Sequence, residues 1–107
     1  MLQRVETYIL EDSDVAAIVN MREGTEFETY DIVWALVDEQ EYGDNCYVRI
    51  NLSDAEIRKA KEQVEKAKAN DEDESYIDIL NTYLMILTSL RPYIPNDINF
   101  VFMHISY

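Results

Sequence analysis

Cys46 and His104 are the only cysteine and the only histidine in the chain. A thiol beside an imidazole is the smallest pair of side chains that does nucleophilic chemistry. Such a thiol needs an electropositive setting to ionise. The 107 residues instead carry 22 Asp and Glu against 9 Lys and Arg, a formal charge of −13, and negative charge holds a thiol protonated. The expectation is a packed core thiol at Cys46 and a hydrogen-bonded edge histidine at His104. No catalytic residue is assigned, and the chain is expected not to be an enzyme.

Oxygen ligands are abundant, but their spacing does not suit a metal. Asp12, Asp14 and Glu23 match positions one, three and twelve of a calcium loop, yet Ala16 and Ala17 stand where a ligand and the turn glycine belong. The run Asp71-Glu72-Asp73-Glu74 lacks both the loop glycine and the closing glutamate. These acids read as carboxylates at helix starts, where the helix dipole favours them. Two glycines in the whole chain leave no glycine-rich phosphate loop, and no metal or cofactor is expected. Arg91-Pro92-Tyr93-Ile94-Pro95 contains a Pro-x-x-Pro spacing. Lying between a buried helix and a buried strand, it reads as a structural link.

The arrangement of charge points further. From Glu23 through Val48 there are eight acids, Glu23, Glu26, Glu28, Asp31, Asp38, Glu39, Glu41 and Asp44, and no Lys or Arg, whereas five of the nine cations fall between Arg58 and Lys68. Surfaces that serve solubility alone intersperse the signs. A row of carboxylates a few ångströms apart resembles, in scale, the phosphates of a nucleic-acid strand. It would attract a basic groove and pair with arginine side chains. These eight acids, with Tyr42 among them, form the expected partner-binding set, and Tyr30 and Tyr47 supply further aromatic anchors.

The elements that must carry these residues follow from periodicity. Residues 4–10 read as a strand through Val5, Tyr8, Ile9 and Leu10. Ser13 is expected to cap a helix that ends at Gly24. Residues 25–43 have two readings. The pair Thr25 and Glu28 and the stripe Phe27, Tyr30, Val33, Trp34 and Val37 fit a helix ending before Gly43, with Glu28, Asp31, Asp38 and Glu39 on a stripe opposite Tyr30 and Trp34. The β-branched residues Ile32, Val33 and Val37 and the Tyr42-Gly43-Asp44-Asn45 turn fit a hairpin instead. Residues 46–52 alternate as a strand, with Cys46, Val48 and Ile50 inward. Ser53 and Glu56 form a capping box for a helix with Ile57, Ala60, Val64 and Ala67 on its apolar stripe. Residues 75–90 are apolar around most of a helix, which places it at the centre of the fold, and Pro92 ends it. Residues 98–107 form a strand apolar on both faces, hence an inner one.

The order β-α-α-β-α-α-β implies one α+β domain, residues 1–107, with a small sheet of about three strands packed with helices. A composition of 48% hydrophobic and 11% aromatic residues suffices for a core. The longest stretch without a charge, residues 79–90, is too short to span a bilayer, and Glu6 interrupts any apolar leader. A soluble cytoplasmic protein is expected. Its charge repels nucleic acid and anionic membranes, so direct contact with either is not expected. The chain resembles, in size and charge, the class of acidic inhibitors that includes phage anti-defence and anti-CRISPR proteins, nucleic-acid mimics and nuclease immunity proteins, and no motif ties it to one family. The expected partner is a basic protein, a nuclease or another nucleic-acid-binding protein. The alternative is a homodimeric structural or adaptor module in which a second copy covers the apolar excess of residues 75–90.

Overall fold

The computed structural model describes residues 8–36 and 47–105. Among them lie β1 (Ile9–Glu11), α1 (Asp12–Glu23), α2 (Thr29–Leu36), β2 (Tyr47–Asn51), α3 (Asp54–Ala69), α4 (Glu74–Leu90) and β3 (Phe100–His104), with a 3-10 turn over Arg91–Tyr93. The fold is α+β in the expected order. Its sheet runs β1-β3-β2, with β1 parallel and β2 antiparallel to β3. The last strand is thus the inner one.

Alternation explains the sheet's two faces. Val101 and Met103 of β3 and Ile50 of β2 are buried, whereas Phe100, Tyr47 and Ile9 are exposed. Ile86, Leu87 and Leu90 of α4 join Val15, Ile18 and Val19 of α1 and the buried sheet residues in one core. α4 packs against α1, α2 and α3 at once, so its broad apolar circumference is largely used within the chain.

Local chemistry sets the element boundaries. α1 starts at Asp12, with Glu11 at the N-cap position and without a side-chain cap, rather than at a cap on Ser13. The reason is Asp12, whose Oδ1 accepts the N–H of Ser13 at 2.8 Å. Gly24 ends α1 in the left-handed region at φ 67°, donating its N–H to Asn20 O, a conformation that costs glycine little. At α3, Ser53 Oγ accepts the N–H of Glu56 at 3.3 Å as expected. The capping box closes only half, because the Ser53 N–H goes to Asn51 Oδ1 and the Glu56 carboxylate accepts the hydroxyl of Tyr83 on α4 at 2.6 Å.

The Pro-x-x-Pro segment is held by Arg91. Its guanidinium donates to the carbonyls of Leu52, Ile94, Pro95 and Ile98 at 2.6 to 3.3 Å. One side chain therefore fastens the exit of α4 to the end of β2 and the approach to β3. Pro92 lies in the 3-10 turn, which differs from the extended conformation that proline-binding grooves read.

Candidate functional site

Of residues 25–43, Thr29–Leu36 form a helix, and residues 37–43 lie outside the described residues. Of the expected stripe, Phe27 and Val33 pack against the core, Tyr30 and Trp34 do not, and Val37 lies outside the described residues. Ile32 is fully buried, with Val33, Ala35 and Leu36 packed against the core, whereas Tyr30 and Trp34 are 61% and 64% exposed. Two apolar rows compete on this short helix. The aliphatic row faces the core; burying Ile32 alone is worth about 2 kcal/mol. The larger aromatic rings remain outside.

The approach to α2 is pinned by Asn20. Its Nδ2 donates to Phe27 O at 3.0 Å, and its Oδ1 accepts the Phe27 N–H and the Thr25 hydroxyl, each at 2.8 Å. Because α2 begins only at Thr29, Thr25 stands four residues before the helix, too early to form a capping box with Glu28. Asp31 takes over at the helix start, with Oδ2 accepting the N–H of Glu28 at 2.9 Å.

With α2 fixed in this way, Tyr30, Asp31 and Trp34 face α4 across an open groove of about 590 Å³, lined on the α4 side by Ser75, Asp78, Ile79, Asn81, Thr82 and Met85 and completed by Phe27 and Ala35. The α4 set recurs at three and four residues, which is one helix face. Its described lining holds two carboxylates, three aromatic rings and no Lys or Arg. Asp31 therefore lies beside Tyr30 and Trp34, not opposite them.

No family model, curated protein or solved structure matches the chain. Its site is therefore read from its own residues.

Glu23, Glu26 and Glu28 are exposed on the end of α1 and the link to α2, and Asp31 is half-buried in the groove. Asp38, Glu39, Glu41, Tyr42 and Asp44 of the expected set, together with Cys46, lie outside the described residues. The structure brings Asp78, from a second acidic stretch, into the same groove. Between Lys68 and Arg91 stand Asp71, Glu72, Asp73, Glu74 and Asp78 with no Lys or Arg, all five exposed. Through Ser75 and Asp78 the start of α4 meets the start of α2 at the groove. Asp78 and Ile79 were the missed site residues. The sequence signal was Asp78, the one charged residue inside the otherwise uncharged run 75–90.

Residues 12–23 are continuous helix, so Asp12, Asp14 and Glu23 cannot wrap around an ion as a loop does. Among the described residues no three His, Cys, Asp or Glu side chains converge to hold a metal. His104 lies on the central strand rather than an edge, its Nδ1 2.9 Å from Glu11 Oε2 and its ring 5.1 Å from that of Tyr47. On the same outer sheet face Arg49 sits 4.9 Å over the Phe100 ring, so that face carries both signs of charge. Among the described residues no helix is long and apolar enough to cross a membrane.

Proposed function

We propose that this chain is a non-catalytic binding protein whose acidic surface occupies the cationic, nucleic-acid-binding site of a basic partner, such as a nuclease. Phage anti-defence proteins, nucleic-acid mimics and nuclease immunity proteins work in this way. The supporting observation is the meeting of Asp31 and Asp78, one from each of two acidic stretches distant in sequence, in one groove whose described lining holds no Lys or Arg. Five of the nine cations fall on α3 instead. A one-sign field of this kind speeds encounter with an oppositely charged cleft and excludes other anions, nucleic acid included. Exposed rings at its centre provide apolar anchors that charge alone lacks.

The test is capture from lysate of the source cells at low and at half-molar salt. The expected partner is a basic nucleic-acid-binding protein that elutes as salt rises, because screening already limits such fields to about 8 Å at physiological ionic strength. Capture of a neutral or acidic protein whose binding is indifferent to salt contradicts the proposal. The adaptor reading then becomes the better one.

A further inference from the structure

The groove between α2 and α4 has a composition that restricts what can fill it. Tyr30 and Trp34 are one helical turn apart and so share one face of α2, and both are more than 60% exposed. Ile79 opposite them is 42% exposed. Leaving this much apolar surface in water is unfavourable, and contiguous patches of this kind mark interaction sites. A purely apolar occupant, however, would strip water from the Asp31 and Asp78 carboxylates without replacing their partners. A nucleic acid or an anionic lipid would meet the same carboxylates with like charge.

The occupant must therefore combine positive charge with a flat or apolar body. Guanidinium has both: it is planar and weakly hydrated, stacks on aromatic faces and donates in pairs to a carboxylate. Ammonium is a compact, strongly hydrated point charge and matches the carboxylates but not the rings. We infer that the α2–α4 groove binds an arginine-bearing amphipathic segment of the partner, with the arginine between the Tyr30 and Trp34 rings and the Asp31 and Asp78 carboxylates, and its apolar neighbours against Ile79. This rests on the reading of the partner as a basic protein and assigns the specificity of that contact.

Trp34 is the only tryptophan in the chain, so its fluorescence reports the groove directly. The experiment titrates the full chain with three synthetic amphipathic helical peptides, identical except that the charged positions are arginine, lysine or neutral citrulline. The arginine peptide is expected to shift Trp34 emission and to bind about fivefold more tightly than the lysine peptide. The citrulline peptide should be weaker than both. Asp78→Asn should weaken the arginine peptide several-fold, and Trp34→Ala, followed by calorimetry, should abolish its preference over lysine. Glu62→Lys on α3 should change neither. Equal binding of the arginine and lysine peptides with Trp34 emission unmoved overturns the groove assignment and leaves the basic-partner reading intact. Citrulline binding as tightly as arginine overturns both. Trp34 emission that depends on protein concentration without peptide means that a second copy fills the groove, which also overturns the inference.

Discussion

Asp31 Oδ2 accepts the backbone N–H of Glu28 at 2.9 Å while the same side chain lines the groove beside Tyr30 and Trp34. One carboxylate thus both starts a helix and contributes to the proposed interface. Charge reversal at Asp31 consequently disturbs fold and binding together, unlike reversal at Glu26, which is exposed on the link between α1 and α2. Asp31→Ala should cost about 1 kcal/mol of stability, typical of a lost N-terminal cap, and Asp31→Lys more, because a cation there opposes the helix dipole. Glu26→Lys should stay within about 0.5 kcal/mol. Urea midpoints measure all three, and equal midpoints for Asp31→Ala and Glu26→Lys would show that the cap is not formed in solution.

Asn20 makes three hydrogen bonds to the link between α1 and α2, two of them to the backbone of Phe27. Asn20→Ala leaves these groups without a partner and should destabilise the protein by roughly 2 kcal/mol, a sum of modest hydrogen-bond terms. Because the link sets where α2 begins, Trp34 emission should also shift in the folded variant. A variant with unchanged stability and emission would remove Asn20 from the positioning of the groove.

Tyr83 donates to Glu56 across the α3–α4 contact. Burial first, then the hydrogen bond and the charge of Glu56, push its pKa well above the ordinary value of 10.0. The folded state therefore retains the phenol proton where the unfolded chain has begun to lose it. Stability from this contact is fully present below pH 10 and declines as pH rises above that value, since the folded chain binds more protons there. Tyr83→Phe should cost about 1 to 3 kcal/mol at neutral pH and flatten the alkaline decline in melting temperature. Parallel slopes for wild type and variant between pH 9 and 11 would contradict the assignment.

Arg91 supplies four hydrogen bonds to main-chain carbonyls from three parts of the chain. Arg91→Lys keeps the charge but not the planar fork, so it should lose on the order of 2 to 3 kcal/mol, close to the loss in Arg91→Ala. Full stability in the lysine variant would mean that charge, not geometry, holds the link.

The order of elements was legible because its signals are local. Gly24 terminates α1, Ser53 caps α3, and the alternation through Val48 and Ile50 sets the inward face of β2. The facing of α2 was not legible. Rows through Tyr30 and Trp34 and through Ile32 and Leu36 are both apolar at helical spacing, and only packing against α1 and α4 decides between them. The reach of Asn20 to Phe27 and of Tyr83 to Glu56 spans turns that periodicity does not record. For the same reason the acids of residues 23–31 were identifiable as a group, whereas the meeting of Asp31 with Asp78 required the tertiary structure.

The most direct measurement follows the partner's own ligand. Labelled nucleic acid bound to the captured partner is titrated with this chain, and anisotropy reports how much remains bound. Release that is complete near one equivalent, and lost when Glu23, Glu26 and Asp78 are changed to lysine, is the expected result. A ternary complex in which the nucleic acid stays bound at saturating protein would contradict occupation of the cationic site.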